Sequence, residues 1–217
     1  MSEPAFESLG KPLPAEPLLV ASEWLAEAWR RRLQPNPNAM SLATATPEGS
    51  PAARIVLCKD VVGVPGYVLF FTNFQSRKGL ELGANPRAAA VLHWDHMHRQ
   101  VRIEGLVEAV PAAESDAYFA SRARESRIGA WASAQSRPIA SREALLAQVE
   151  EATRRFASGE VPRPGFWGGY RLWAEAVELW VEGDARIHDR ARWVRSLQRA
   201  ADGGMRPGPW SVTRLQP

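Results

Sequence analysis

Cysteine is nearly absent from this sequence: Cys58 is the single one, so no disulfide can form within the chain. That usage fits a reducing compartment, and a cytoplasmic protein is expected. No apolar run approaches the roughly 20 residues that a membrane-spanning helix needs, so no membrane association is expected. The opening M-S-E-P-A-F-E-S has neither the basic nor the apolar region of a secretory signal. G-x-G-x-x-G, a Walker loop and G-x-S-x-G are all missing, which removes the usual supports for nicotinamide, ATP and serine-hydrolase chemistry. His93, His96 and His98 lie around a turn with no cysteine or acidic cluster beside them, so no metal site is expected. Net charge is +3 and the pI near 9.4. The arginines that supply nearly all the positive charge are spread among acidic residues, and no zinc-finger, basic-zipper or RNP pattern occurs. A solvated surface with a few anion-binding arginines is favoured over nucleic-acid binding.

What is present is a globular composition, 217 residues with 45% hydrophobic and 24% charged, long enough for a proper core. Nine tryptophans point to large buried or subunit-interface contacts. Residues 1–16 read as a flexible surface tail, and 17–217 as one domain. A helix is expected from Pro17 to Arg30–Arg32, where Leu18, Ala21, Leu25 and Ala28 recur at helical spacing. Ala39–Thr46 and Pro51–Lys59 read as a hairpin around P-E-G-S. Tyr67–Thr72 is a strand, followed by a short helix from Ser76 that ends at Asn85–Pro86. Arg87–Trp94 and Arg99–Val110 form a further strand pair, and Gln100, Arg102 and Glu104 make the polar face of the second. Ala112–Arg124 and Ser141–Ser158 read as helices, and V-P-R-P-G-F-W-G-G as a rigid connection. Tyr170–Val181 and Arg186–Val194 read as strands, Gln198–Pro209 as a flexible loop and Trp210–Leu215 as a last strand. Short strands with few helices predict a mainly β chain with flanking helices (α+β), its antiparallel sheet closing into a barrel.

Two segments stand out chemically. Ser76 caps a helix whose first turn holds Arg77 and Lys78, although that end already carries the positive pole of the helix dipole. A bound phosphate would resolve the conflict. In R-I-H-D-R, strand alternation would put Arg186, His188 and Arg190 on one face, which calls for an anion or polarised ligand, or else a solvated face. Alternation also sends Arg54 and Lys59 to opposite faces of their strand. Cys58 shares the side of Arg54 and reads as a small core residue.

The ordered set R-I-V-L-C-K (54–59), F-F-T-N-F-Q-S-R-K (70–78), N-P-R (85–87), R-Q-V-R-I-E-G (99–105), Y-F-A-S-R-A-R-E-S-R-I-G-A-W-A-S-A-Q-S (118–136), V-P-R-P-G-F-W-G-G (161–169), E-L-W…R-I-H-D-R (178–190) and the terminal R-L-Q-P resembles the pyridoxamine 5′-phosphate oxidases. The resemblance implies a split β-barrel homodimer with FMN at the subunit interface. It implies FMN contacts from Arg54, Ile55, Val56, Leu57, Cys58, Lys59, Phe71, Thr72, Arg77, Lys78, Gln100, Gln135, Ser136, Trp180 and Arg190. It implies substrate contacts from Lys59, Tyr118, Arg122, Ser126, Arg186 and His188, with Arg186 and His188 holding the pyridine ring against the flavin as the catalytic pair. Arg77 and Lys78 suit the FMN phosphate. Tyr118, Arg122 and Ser126, at i, i+4 and i+8, suit a substrate phosphate on one helical face. The implied reaction oxidises pyridoxamine or pyridoxine 5′-phosphate to pyridoxal 5′-phosphate, with a hydride passing to the flavin and dioxygen becoming hydrogen peroxide. Departures from the family pattern are Cys58 for an aliphatic residue, Ile187 for leucine, Leu179 for phenylalanine, Ala123 for proline, no basic N-terminal element and a longer 198–209 loop. Alternatives are a phenazine-type relative acting on another reduced heterocycle, or a non-catalytic flavin- or nucleic-acid-binding module. The Tyr118, Arg122 and Ser126 set favours a phosphorylated substrate.

Overall fold

In chain order the elements are α1 (Pro17–Arg31), β1 (Ala39–Ala45), β2 (Pro51–Leu57), β3 (Asp60–Val62), β4 (Tyr67–Asn73), α2 (Arg77–Ala84), β5 (Arg87–Trp94), β6 (Arg99–Ala109), α3 (Ala112–Ser121), α4 (Arg124–Ala132), α5 (Arg142–Arg155), β7 (Trp167–Val181), β8 (Asp189–Val194), β9 (Leu197–Arg199), β10 (Met205–Pro207) and β11 (Ser211–Leu215). They come from a computed structural model that describes residues 8–201 and 203–217.

One antiparallel sheet runs in the order β11-β8-β7-β6-β5-β1-β2, with β4 joining at β7 and β3 at β4. The 15-residue β7 sets this topology. Along one edge it pairs with β6; along the other it pairs first with β4, through Trp167–Trp173, and then with β8, through Ala176–Val181. The sheet curls into a half-barrel that brings β2 near β4, and the Lys59 N–H donates to the Leu69 carbonyl at 2.7 Å at the mouth of the β3–β4 hairpin. The β6–β7 ladder shifts register at Glu104/Gly105, a bulge that bends the pair, and a Cβ at Gly105 would lie 1.9 Å from the Trp173 carbonyl oxygen. In β6 the residues Val101, Ile103 and Val107 point inward, whereas Gln100, Arg102 and Glu104 face out, as the pattern predicts.

α1 covers the inner face against β3 and β7, burying Leu18, Ala21, Trp24, Leu25 and Ala28. This core also holds Trp94 and Trp193, whose indole N–H groups donate to the carbonyls of Pro37 (2.7 Å) and Pro14 (2.9 Å). A buried tryptophan needs such a partner, because an unsatisfied N–H there would cost about 1–3 kcal/mol. A second cluster, built on Phe119, Ile128, Phe156, Val161 and Trp167, forms under α3, α4 and α5.

The structure corrects several expectations. Residues 1–7 of the predicted tail lie outside the described residues, but residues 8–16 are held down. Leu9 is buried and donates its N–H to Asp189 at 2.9 Å, and Gly10 accepts from Arg214 at 2.6 Å. The predicted loop 198–209 contains the β9–β10 hairpin, closed by Gly203 at φ +83°. β7 begins at Trp167 rather than Tyr170, because Gly168 and Gly169 let Phe74 and Phe71 approach to within 2.6–2.7 Å of where a Cβ would sit. The predicted helix 112–124 breaks at Arg122, whose extended backbone (φ −76°, ψ 149°) separates α3 from an unforeseen α4.

Candidate active site

Ser76 caps α2 as expected: its Oγ accepts from the Gly79 N–H at 3.3 Å and donates to the Asn73 carbonyl at 2.7 Å. Glycine is required at position 79, since a Cβ would lie 2.3 Å from the Phe74 carbonyl oxygen. Lys78 folds back and is buried. Its ammonium donates to Thr72 Oγ1 (3.1 Å), Ser76 Oγ (3.3 Å) and Gln135 Oε1 (3.0 Å), all neutral acceptors. Burial and then the Arg54 charge push its pKa down. A buried ammonium with no carboxylate bonded to it is prepared for an incoming anion.

The neighbouring cations are tied to a carboxylate that the sequence reading passed over. Buried Glu81 accepts from Arg77 (2.8 Å), Arg54 (3.1 Å) and the Thr44 hydroxyl. Burial alone would raise its pKa; the three hydrogen bonds outweigh that and hold it low. Arg54 also donates to the Leu42 carbonyl at 3.2 Å, so its guanidinium points inward. Arg54, Val56 and Cys58 take the inner side of this strand and Ile55, Leu57 and Lys59 the outer, as alternation predicts. The Cys58 thiol donates to the Asp60 carbonyl at 3.2 Å, and burial pushes its pKa up to about 12, so it is a core residue and not a nucleophile.

β2, β4, α3 and the segment after α4 enclose a pocket of about 280 Å³ that brings together Lys59, Phe71, Thr72, Lys78, Tyr118, Arg122 and Gln135, with Ile55, Val56 and Leu57 on one wall. Phe71, Tyr118 and Trp167 form a mutual aromatic cluster, with centroids 4.0 Å (Phe71–Tyr118), 5.5 Å (Phe71–Trp167) and 6.1 Å (Tyr118–Trp167) apart, and Lys59 sits 5.6 Å above the Tyr118 ring. Arg122 lies 4.8 Å over the Trp167 ring, and its buried Nη1 has no hydrogen-bond partner. Ser126 is exposed on α4 and does not line the pocket, so the single helical face expected for Tyr118, Arg122 and Ser126 is not formed. Ser136 is exposed, with φ +68°.

The remaining predicted residues gather elsewhere. Gln100 pairs across strands with Trp180, and Trp180 with Arg190. The His188 ring lies 4.7 Å from Trp180. Arg190 is clamped by buried Glu178 through two bonds of 3.0 and 2.8 Å, and donates to the Gln216 carbonyl at 2.9 Å. Arg186 is exposed. The expected face shared by Arg186, His188 and Arg190 is corrected here: β8 begins only at Asp189. Before it the chain winds through a one-turn 3-10 helix, Asp184–Arg186, with Ala185 (φ 52°) and Arg186 (φ 66°) left-handed. Trp167, in the first pocket, and Trp180 stand at opposite ends of β7, roughly 40 Å apart along an extended strand. Within one chain, then, the predicted residues form two separate groups. A larger groove of about 490 Å³, on the outer face over β1, β5, β6 and β7, contains none of them. Its Arg87 and Arg192 already pair with Glu175 (2.8 Å) and Glu104 (2.7 Å).

Residues 25–156 match the family profile described as pyridoxamine 5′-phosphate oxidase, and 167–217 the pyridoxine 5′-phosphate oxidase C-terminal dimerisation region. The chain belongs to the pyridoxamine 5′-phosphate oxidase family. It is 47% identical to the pyridoxine/pyridoxamine 5′-phosphate oxidase of Gluconobacter oxydans, covering 94% of this chain and 96% of that one. With the protein of the same name from Rhodospirillum rubrum the identity is 48%, covering 93% and 96%. Among solved structures, PhzG from Burkholderia lata, crystallised with tetrahydrophenazine-1-carboxylic acid, superposes with a TM-score of 0.82 at 31% identity, covering 95% of each chain. A pyridoxamine 5′-phosphate oxidase-related, FMN-binding protein of Nostoc punctiforme shares the fold at TM-score 0.66 and 14% identity.

For a pyridoxamine 5′-phosphate oxidase family chain, the residues missed from the sequence were mostly partners of the expected ones. Glu81 stands four residues after Arg77, a helical pairing that was legible. Trp167 was hidden because W-G-G reads as a connection. Glu178 faces Arg190 only across the β7–β8 ladder, a register that single-sequence periodicity does not supply.

Proposed function

We propose that this protein is an FMN-dependent oxidase that converts pyridoxamine 5′-phosphate, pyridoxine 5′-phosphate or both to pyridoxal 5′-phosphate, with dioxygen as acceptor. One observation carries the reading: a single pocket holds two separate prepared cations. Lys78 is buried among neutral acceptors, and Arg122 keeps a buried Nη1 without a partner. Two phosphates, one on the cofactor and one on the substrate, answer that arrangement.

The residues present fit FMN. Lys78 would hold its phosphate, with Arg77 and Arg54 presented by Glu81 and with Thr72, Gln135 and Ser136 beside them. The β2 stretch 54–59 and Phe71 would flank the remainder. When bound, FMN supplies the two-electron redox chemistry and the reactivity toward dioxygen. The protein binds, orients and excludes water. Arg122 and Tyr118 would seat the substrate phosphate, with Lys59 at the rim. A pocket of about 280 Å³ is small for a flavin and a substrate together, given the ~300–1,000 Å³ common for ligand sites. The site is therefore completed by a second copy of the chain, which brings its own Gln100, Trp180, Arg186, His188 and Arg190 to this pocket. The match to a dimerisation region over 167–217 supports that reading. Arg186 and His188 would then hold the pyridine ring in place, so that catalysis rests mainly on positioning. The lone, buried thiol suits the cytoplasm.

The phenazine-type alternative has a specific observation in its favour, the likeness to PhzG. The unpartnered Arg122, set for a phosphate, favours the phosphorylated pyridine. The test is oxygen uptake by the FMN-loaded protein with each phosphorylated pyridine. Pyridoxal 5′-phosphate formed together with hydrogen peroxide is the expected result. A protein that stays colourless with FMN would overturn the flavin reading, and a yellow protein that does not react would overturn the substrate.

A further inference from the structure

The short segment between β7 and β8 fixes more than the position of His188. It is wound tightly: the Ile187 N–H donates to the Asp184 carbonyl at 2.9 Å, and Ala185 and Arg186 are both left-handed. A Cβ on Gly183 would lie 2.0 Å from the Ile187 carbonyl oxygen, so only glycine lets the segment close on itself. Closure brings the Gly183 N–H to His188 Nδ1 at 3.2 Å. A backbone N–H can only donate. Nδ1 must therefore present its lone pair, and in the neutral ring the proton sits on Nε2. The indole of Trp180, 4.7 Å away and tilted by 43°, flanks the ring.

Three carboxylates on the strands and turn beside His188 are committed elsewhere, and among the described residues no hydrogen bond joins Asp184 in the turn to the ring. Asp189 accepts from the Leu9 N–H and from Arg214; Glu182 is bonded to His98 at 2.6 Å; Glu178 is held by Arg190 and Arg102. No acid–histidine pair of the kind that prepares an imidazole to take a proton is formed here among the described residues. Nε2, already protonated, has no lone pair to offer.

We propose that His188 serves the reaction as a neutral hydrogen-bond donor through Nε2–H, aimed at an electron-rich oxygen or nitrogen of the phosphorylated pyridine, and that Gly183 is the positioning residue that sets this tautomer. The assignment of a substrate contact to His188 rests on the function proposed above; the tautomer does not. His188 orients the ring and stabilises charge on its acceptor atom, and it removes no proton from the substrate.

Two measurements on the FMN-loaded protein test this. Long-range ¹H–¹⁵N spectra of ¹⁵N-histidine-labelled protein at neutral pH should show Nδ1 unprotonated and Nε2 protonated for His188, assigned by its loss in a His188→Gln variant. The second compares His188→Gln with His188→Asn. A glutamine amide can place an N–H where Nε2–H stood, whereas an asparagine amide reaches only the Nδ1 position. His188→Gln should stay within about threefold of the parent kcat/KM, and His188→Asn should fall roughly 10–100-fold, the worth of a donor to a charged acceptor. FMN affinity, equal in both variants, checks that they fold. A protonated Nδ1, or equal kinetics in the two variants, would overturn the proposal. Absence of oxidase activity in the parent protein would instead sink the function proposed above while leaving the spectral result to stand.

Discussion

Lys78 shows how much a single residue can announce. Two cations in the first turn of a helix work against its dipole. That conflict was readable from the sequence, and the structure resolves it unequally. Arg77 swings to Glu81 at 2.8 Å, while Lys78 goes inward with neutral partners only. Lys78→Ala should therefore weaken FMN binding by roughly 10–100-fold and leave riboflavin, which lacks the phosphate, almost unaffected. Quenching of flavin fluorescence on titration measures both. Arg186→Ala should do the reverse, lowering kcat/KM by at least about tenfold with FMN affinity nearly unchanged. Equal losses of both properties in both variants would end this division of labour. Arg186 and His188 were legible as functional but not as geometry, because left-handed backbone at Ala185 and Arg186 leaves no mark on a periodicity pattern.

At the scale of elements, regular strands were legible and their joints were not. Alternation in β2 and β6 gave the faces correctly, including the placement of Arg54 and Lys59 on opposite sides of their strand. The break between α3 and α4 was not visible, since Ala123 offers no proline to mark it. The hairpin β9–β10 was hidden by glycines and prolines that also suit a loop. Two buried carboxylates knit elements together and give measurable consequences. Glu81 joins α2 to β1 and β2, and its pKa is held below the ordinary value. Its contribution to stability is present above pH ~4.5 and is lost as the pH falls through the lowered value. Thermal melts from pH 6 down to pH 3 should show a decline in Tm that is shallower in Glu81→Gln. Identical pH slopes in the two proteins would contradict this. Glu178 ties β7 to β8 and β6 through Arg190 and Arg102. Glu178→Ala removes the buried carboxylate that Arg190 and Arg102 share, and should cost about 2–3 kcal/mol, or roughly 5–10 °C in Tm.

Across the whole molecule, β7 is the long member of the sheet, and it separates two groups of functional residues. Its first half builds the pocket around Trp167; its second half carries Trp180 and pairs with the start of β8. Lys78 and His188 therefore belong to different ends of one chain, and in a two-fold dimer each site would draw them from different chains. Defects in the two would then be rescuable by mixing. Lys78→Ala and His188→Asn chains, each impaired alone, would form mixed dimers in which both lesions fall in one site and the other site is wholly parental. Unfolding and refolding an equal mixture should regain roughly a quarter of the parental sites, half the dimers being mixed with one intact site each. Activity no higher than the average of the two variants would mean that each chain works alone.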